Sequence, residues 1–405
     1  MENWFKENVD MVTLTTTMLL LAIGAASVYS ATYDAGASVV FYRQLLWIGI
    51  GVILMLIVLA TPFRNLQLLS YPMYIVSLMM LIAVLVAGKT IAGSRAWFGV
   101  GGFGLQPSEL VKASTIIAIA SYLSQRSVNI NRLKDILRTA SFSLIPVALI
   151  LLQPDMGTAI IYLGTLLLVM YWAGASNFLV FTVIAPGVAA LAALFGTTPF
   201  IIVAAVTLVI ILYLRENKFL SAIVFSLTMV VGVSVQVMFA KLAPYQQKRI
   251  FTFINPESDP LGSGYNVMQS KIAIGSGGFL GKGYLQGSQT QLNFLPAQWT
   301  DFIFCVPSEE FGFIGGLIIL LLLAVLLLRG LYIARTVKSP YASIIAIGVV
   351  STLLIHTIIN IGMAMGLVPV IGVPLPFMSY GGSNLLTNMI MIGLLLNVYA
   401  NRKEY

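Results

Sequence analysis

The chain has 405 residues, of which 59% are hydrophobic and 9% charged, and its mean hydropathy is +0.96. Soluble domains contain roughly 45 to 50% apolar residues, so the composition excludes a soluble protein and indicates a polytopic membrane protein. The single cysteine, Cys305, excludes an internal disulfide and a cysteine metal cluster. The net charge of +8 has to be located along the chain before it can be interpreted.

Apolar runs of about 20 residues, the length that crosses a hydrocarbon core of about 30 Å, recur from residue 11 to residue 400. The first run follows a polar start and contains no small-residue cleavage site, so we interpret it as a retained span. The pattern predicts an all-α bundle that forms a single domain over 1–405. The predicted spans are 11–30, 44–62, 70–88, 107–124, 139–153, 158–173, 176–195, 198–214, 219–240, 311–330, 341–365 and 381–400.

The basic residues predict the orientation of these spans. If the N-terminus is cytoplasmic, the inside segments hold 13 of the 22 basic residues, mostly in short loops, as the positive-inside rule requires. We therefore place both termini in the cytoplasm, and the basicity then reflects topology and argues against a nucleic-acid partner. On this topology residues 241–308 form a long loop on the extracytoplasmic face, and long structured loops are usually functional.

The first polar motif of the outer face is the stretch GSRAWFGVGGFGLQPSELVKAS, in which Pro107 begins a span. Glu109 and Lys112 lie three residues apart on one helical face and can pair. One interpretation is an ion pair that holds the bundle together. The other is a charged pocket wall that offers Lys112 and Arg95 to a phosphate group.

The second motif, LLQPDMGTA, places Asp155 in a turn between two apolar runs. Asp155 is predicted either to cap the next helix or to participate directly in a site.

In the long loop, GSGGFLGKG fails as a phosphate-binding P-loop because Ser or Thr does not follow its lysine, although its glycines allow a close backbone approach. The loop aromatics fit a sugar-binding or peptide-binding surface, or an interfacial aromatic belt; they are Tyr245, Tyr265, Phe279, Tyr284 and Phe294.

Asp301 follows Trp299 at the end of the loop, where apolar neighbours are expected to raise its pKa toward that of a general base. Glu309 and Glu310 follow at i+8 and i+9, so one helix would place Glu309 about two turns from Asp301. Two such carboxylates are typical of a glycosidase pair or a metal site. His356 stands alone in a span, and we interpret it as a hydrogen-bonded core residue.

The last polar motif, GLVPVIGVPLPFMSYGGSNLLTNM, precedes and begins the final span. Ser379 and Ser383, together with the N-H groups of the glycines between them, are placed to face an anion at a helix N-terminus. On the assigned topology this segment is also extracytoplasmic. Polar motifs from separate parts of the chain are therefore predicted to meet on one face of one bundle.

These motifs, taken in order, resemble the SEDS peptidoglycan glycosyltransferases, the family of RodA, FtsW and SpoVE. The resemblance rests on QPSELVK, QPDMGTA, NPESDPLGSGYN, QSKIAIGSGGFLGKG, FLPAQWTDFIF with EEFGF, and GLVPVIGVPLPFMSYGGS, which extend from about residue 90 to 385. The short tails and the opening DMVTLTTTMLLLAIGAASVYSAT are more similar to the elongation branch than to the division branch.

The resemblance implies inverting polymerisation of lipid II into β-1,4 glycan strands at the outer face of the bacterial cytoplasmic membrane, during cell elongation and shape maintenance. It assigns the catalytic carboxylate to Asp301, with support from Glu309 and Glu310. It implies a class B penicillin-binding protein and other elongation proteins as partners, and leaves a divalent cation, Mg²⁺ or Mn²⁺, open as cofactor. The resemblance places pocket residues at Glu109, Lys112 and Asp155, and less directly at Arg95. Together with Lys271, Ser379 and Ser383, these are the predicted substrate-binding residues.

Two departures from the family pattern stand out. Members typically have ten spans, whereas residues 174–240 hold three apolar runs where one is usual, so we expect about 10 to 12 transmembrane helices. Pro307 and Ser308 stand where a glycine usually precedes the paired glutamates.

Two alternatives to the polymerase function stay open, a lipid II flippase and a non-catalytic scaffold of the elongation machinery.

Overall fold

The computed structural model describes residues 8–34, 36–91, 94–100, 103–214, 218–241 and 264–402. Within these ranges the chain forms sixteen helices and three short strands. The helices are α1 (Met11–Tyr33), α2 (Ser38–Ala60), α3 (Phe63–Leu68), α4 (Ser70–Ala87), α5 (Pro107–Leu123), α6 (Leu133–Leu151), α7 (Met156–Trp172), α8 (Asn177–Leu194), α9 (Thr197–Leu214), α10 (Lys218–Lys241), α11 (Tyr265–Ser276), α12 (Ser288–Gln291), α13 (Cys305–Glu310), α14 (Gly312–Thr336), α15 (Pro340–Ala364) and α16 (Gly382–Ala400).

Each of the twelve predicted spans coincides with one of these helices, and the all-α membrane fold is confirmed. Nine of the described helices are long and apolar enough to cross a membrane by length and composition alone. Three further helices coincide with predicted spans but fall outside these nine. Two of them, α5 and α7, are shorter, with 17 residues each. The third, α6, carries three charged residues in its first turns, at 134, 135 and 138.

A small antiparallel sheet, which the sequence analysis did not predict, lies between α4 and α5. Its strands are β1 (Lys89–Ile91), β2 (Ser94–Val100) and β3 (Phe103–Leu105), in the order β1-β2-β3. Lys89 pairs with Trp97, and Phe98 pairs with Leu105. The last strand ends at Leu105, two residues before Pro107, which occupies the first turn of α5.

The core of the bundle lies around α15 and α16, whose apolar stretches are 78% and 83% buried inside the protein. By contrast, α8, α9 and α10 are 22% or less buried and hold their own small cluster of Ala189, Ala193 and Phe200. These three helices occupy the region where one apolar run is usual. They therefore form a peripheral unit beside the main bundle.

The end of the bundle at which α1 begins is fastened by an ion pair. Asp10 caps α1 by accepting from the backbone N-H of Thr13 at 3.0 Å. Arg329 of α14 donates to both carboxylate oxygens of Asp10, at 2.6 to 3.1 Å. The polar motifs of the predicted outer face lie at the opposite helix ends.

The described part of the long loop, from residue 264, packs on the start of α14. The N-H of Phe313 donates to Gly278 at 2.9 Å, and that of Lys282 donates to the Glu309 carbonyl at 3.1 Å. The close approach predicted for GSGGFLGKG is therefore made to the chain's own backbone. Tyr245 and most of the NPESDPLGSGYN motif lie outside the described residues.

Candidate active site

Asp301 lies in the turn before α13, outside the membrane-spanning helices, and is half-buried. Its carboxylate faces Gly372, in the segment between α15 and α16: a Cβ atom placed on Gly372 would lie 3.6 Å from Oδ2 of Asp301. Burial raises the pKa of Asp301 to about 6, against the lowering effect of Thr300. The sequence-based expectation of a raised pKa is confirmed, and the carboxylate suits a general base that works near neutral pH.

Three consecutive backbone carbonyls fix this turn. Residues 299–301 present them to the segment that follows α15 and to α15 itself. The backbone N-H of Tyr380 binds the first at 2.8 Å, the Ser379 hydroxyl binds the second at 2.6 Å, and the Asn360 amide binds the third at 2.8 Å. Asn360 also donates to the Val373 carbonyl at 2.7 Å. The backbone of the candidate base is thus held by residues from the C-terminal quarter of the chain.

Ser379, predicted to face an anion, has its hydroxyl committed to the backbone. It accepts from the N-H of Leu375 at 2.8 Å while it donates to Thr300. The adjoining Phe377 has a φ of 64°, a left-handed conformation that costs an aromatic residue about 1 to 3 kcal/mol and needs tight surroundings. Phe377 is buried, which supplies them. An anion-binding role for Ser379 stays a prediction.

A second cluster surrounds Lys112, which is 3% exposed. Its Nζ lies 2.9 Å from both oxygens of Glu109 and 2.8 Å from Nε2 of His356. An ammonium group only donates, so Nε2 must accept and the proton of His356 lies on Nδ1. Nδ1 is 3.2 Å from the Pro374 carbonyl, and the Asn384 amide donates to Glu109 at 2.8 Å. The predicted pairing of Glu109 with Lys112 is confirmed.

The two clusters are joined by α15. His356 and Asn360 lie one turn apart on this helix and bind the adjacent carbonyls of Pro374 and Val373. Among the described side chains, Lys112 and Asp301 are therefore connected indirectly, through α15 and the segment that follows it. The cavity that Lys112 lines is narrow, extends between α5, α6, α7 and α15, and does not include Asp301.

Asp155 caps α7, as one of its two predicted roles requires. Its carboxylate accepts from the backbone N-H of Thr158 at 3.0 Å and from the Thr158 hydroxyl at 2.8 Å. The side chain of Gln106 donates to the same carboxylate at 2.9 Å, and the backbone N-H of Gln106 donates to the Ser383 hydroxyl at 2.8 Å. Gln106 thus connects two of the predicted binding residues at the start of α5.

Arg95 and Lys271 are both exposed. Arg95 lies on β2 and donates to the carbonyls of Gly88 and Val86 at 3.0 and 2.6 Å. Lys271 lies on α11, with its side chain against Gly366 at the end of α15. Both cations are accessible to a soluble or lipid-linked anion, and their binding role stays a prediction.

Glu309 is buried and clasps the described part of the long loop. It accepts from Lys282 at 2.7 Å, from the backbone N-H groups of Gln289 and Thr290 at 2.9 and 3.0 Å, and from the Thr290 hydroxyl at 2.8 Å. Burial acts to raise its pKa, but these donors outweigh burial and lower it. Both oxygens of its carboxylate are therefore occupied by hydrogen bonds that hold the loop in place.

Glu310 points toward α1, where it accepts from the Ser30 hydroxyl, and it also accepts from the N-H of Leu285 at 3.0 Å. Burial raises its pKa.

The prediction that one helix carries both Asp301 and Glu309 is wrong, because α13 begins at Cys305, beyond Asp301. The two glutamates hold the loop while Asp301 faces the segment after α15.

Comparison with known proteins decides the family. The model of the FtsW/RodA/SpoVE cell cycle proteins matches residues 8–200 and 177–404. This chain belongs to the FtsW/RodA/SpoVE family. The peptidoglycan glycosyltransferase RodA of Treponema pallidum is 36% identical, over 97% of this chain and 98% of its own length. Stage V sporulation protein E of Bacillus subtilis is 37% identical, over 97% of each chain.

Solved structures agree with the family assignment. A chain from a structure titled "Structural coordination of polymerization and crosslinking by a peptidoglycan synthase complex" superposes with a TM-score of 0.75, at 29% identity, covering 98% of this chain and 99% of that one. The RodA of Thermus thermophilus superposes with a TM-score of 0.65 at 27% identity, over 97% of each chain. Both are similar to this family member over its whole length.

Sequence reasoning missed Gln106, Asn360 and Asn384 and did not give His356 its partners. Polar side chains inside apolar spans are costly and mark functional or structural sites, so Asn360 and Asn384 carried a usable signal. The acceptors of their side-chain N-H groups lie 13 to 275 positions away, however. Spacing alone could not assign them.

Within the described residues, no three His, Cys, Asp or Glu side chains are grouped to hold a metal ion. Mg²⁺ usually needs only one or two carboxylates when substrate phosphates complete its shell. Asp301 is a partly exposed carboxylate that fits such a partial site. Glu309 does not fit, because its oxygens are already occupied by donors.

Proposed function

We propose that this family member polymerises glycan strands from lipid II by inverting glycosyl transfer, with Asp301 as the general base. Family membership and relatives named peptidoglycan glycosyltransferase make the chain an enzyme of that class. The observation that supports the role of Asp301 is its half-buried carboxylate, with a pKa raised to about 6, on a turn held at three consecutive carbonyls.

In the proposed reaction, Asp301 accepts the proton of the acceptor sugar hydroxyl as its oxygen attacks the anomeric carbon of the donor. The bond from that carbon to the undecaprenyl diphosphate breaks on the opposite face. The α-linked donor thus becomes a β-1,4 linkage, and the leaving diphosphate keeps the electron pair. A base of matched pKa contributes about 10²- to 10⁴-fold to such a step.

The departing diphosphate needs positive charge. Arg95 and Lys271 are the exposed candidates from the predicted set. Lys112 is buried between Glu109 and His356, so it would reach a phosphate only if one of these partners moved. A divalent cation bound by Asp301 and the diphosphate would supply further charge.

The same comparisons support a proposal for the partner and for the location. The similar chain in the peptidoglycan synthase complex supports a class B penicillin-binding protein, which crosslinks the strands, as partner of this chain. Apolar helices and membrane-protein relatives make the chain a multi-pass membrane protein. We propose that it lies in the bacterial cytoplasmic membrane with both termini inside and Asp301 outside, and that it serves elongation and cell shape.

The test is a polymerisation assay with purified protein, labelled lipid II and its penicillin-binding partner carrying a disabled transpeptidase. We expect glycan polymer whose new linkages are β by NMR. Retained α linkages, or no polymer at all, would contradict the proposal. Movement of lipid II across liposomes without polymerisation would indicate a flippase. Complementation of a deletion strain by Asp301→Ala would indicate a scaffold.

A further inference from the structure

A deep groove separates the main bundle from the peripheral unit formed by α8, α9 and α10. It has a volume of about 810 Å³, within the range of about 300 to 1,000 Å³ that is usual for ligand pockets. Its walls come from α6, α7 and α8, with Leu220 of α10 at one edge. Apolar lining residues include Leu133, Ile136, Leu144, Leu163, Leu167 and Phe178.

The groove exists because the peripheral unit packs mainly on itself. Its own cluster of Ala189, Ala193 and Phe200 is separate from the main core. Its helices are 22% or less buried, so α8 and α10 leave apolar surface facing α6 and α7. Within a bilayer, such a gap needs an apolar occupant.

The end of the groove lined by Asn131 and Ser176 is polar, and its polar groups are already paired within the chain. The side chain of Asn131 donates to the Gly174 carbonyl at 3.1 Å and accepts from the N-H of Ser176 at 3.0 Å. The Ser176 hydroxyl accepts from the N-H of Leu179 at 3.2 Å, as the cap of α8. These bonds join the start of α6 to the start of α8 and shape the end of the groove.

The charge at this end is positive. Arg132 and Lys134 are exposed on either side of the lining residue Leu133, and Lys218 begins α10 two residues before Leu220. The nearby acid, Asp135, is buried, accepts from the Tyr122 hydroxyl at 2.8 Å and interacts electrostatically with Arg132, so the three exposed cations together leave a net positive charge. An apolar groove that ends in exposed cations is complementary to an anionic lipid.

We propose that the groove binds one anionic diacyl phospholipid, with its acyl chains between α6, α7 and α8 and its phosphate at Arg132 and Lys134. Basic pockets between membrane helices recognise anionic head groups in this way. The groove lies at the helix ends opposite Asp301, which on the proposed orientation is the cytoplasmic leaflet. The site lies between the main bundle and the peripheral unit and does not rest on the proposed glycosyltransferase function.

The test uses the full chain in detergent, with phosphatidylglycerol or phosphatidylcholine of identical acyl chains added, and native mass spectrometry and melting temperature as readouts. We expect one retained phosphatidylglycerol and a higher melting temperature with that lipid. The double variant Arg132→Gln/Lys134→Gln should weaken retention roughly 10- to 30-fold. The matched control Arg335→Gln/Lys338→Gln removes two exposed cations at the same end of the bundle, outside the groove, and should retain the lipid.

A steric variant tests the groove itself. Ala140 lines it, and Ala140→Phe should abolish lipid retention; because Ala140 also packs partly against the main core, the melting temperature of the lipid-free variant is measured to confirm that it is folded. Equal retention of both lipids, or equal weakening by the control variant, would overturn the proposal by showing a lack of site or charge specificity. Retention that survives Ala140→Phe, or displacement of the lipid by a partner's transmembrane helix with no charge dependence, would also overturn it.

Discussion

The side-chain amide of Asn360 donates to the backbone carbonyl of Asp301 at 2.8 Å, across 59 positions of the chain. The same amide nitrogen donates to Val373 at 2.7 Å, so one buried side chain holds the turn of the candidate base against the segment that its carboxylate faces. A base works only when it lies within hydrogen-bond reach of the proton that it takes. Asn360 is therefore a positioning residue of the proposed reaction.

Replacement of Asn360 should reduce turnover more than substrate binding. Asn360→Ala leaves two carbonyls without their donor, and each unsatisfied group costs about 1 to 3 kcal/mol. We expect kcat to fall roughly 10- to 100-fold with a small change in KM, measured by lipid II polymerisation.

Asn397→Ala is the matched control for Asn360. Asn397 is also buried and donates to the carbonyls of Val58, Leu59 and Thr61, toward the other end of the bundle. Its replacement should lower the melting temperature but preserve the kcat of the folded protein. Equal losses of kcat in both variants would show that Asn360 acts only through stability.

The pH dependence of kcat/KM should report the pKa of Asp301. Because burial raises that pKa to about 6, the carboxylate gains a proton and loses base function as the pH falls through this value. We expect an ascending limb centred near pH 6 in polymerisation rates measured from pH 5 to pH 8. A flat profile from pH 5 to pH 7 would argue against Asp301 as the base.

Asp301→Asn should stabilise the protein at neutral pH. The folded-state pKa of about 6 lies above the ordinary value of 3.8, so folding favours the protonated acid. The stability contributed by that proton is fully present below pH 3.8 and is lost as the pH rises through about 6. The melting temperature of the variant should exceed that of wild type more at pH 8 than at pH 4.5. A constant difference between the two pH values would contradict this account.

Lys112→Met should destabilise the bundle because it leaves the buried Glu109 carboxylate without its cation. Removal of one partner of a buried ion pair typically costs about 3 to 5 kcal/mol. Glu109→Gln added to Lys112→Met should recover much of the melting temperature, since a neutral amide can remain bonded to Asn384. A double variant as unstable as the single one would show that the pair is not the source of the loss.

Local features were predictable from the sequence, and long-range contacts were not. Span positions follow from the length of apolar runs, and the capping role of Asp155 follows from its place before Met156. The sheet formed by β1, β2 and β3 was missed because its strands are short, with two of them only three residues long. The direction of Glu309 was also missed, because its donors lie about twenty positions earlier and were brought to it by the fold of the loop.

The polymerisation rate of Asp301→Asn tests whether Asp301 is the base of a glycan polymerase. The rate should be compared with wild type at pH 7.5, with the transpeptidase-disabled partner present and the melting temperature confirming that the variant is folded. We expect the rate to fall roughly 10²- to 10⁴-fold, the contribution of a general base. Polymer formed by folded Asp301→Asn at the wild-type rate would show that Asp301 is not the base.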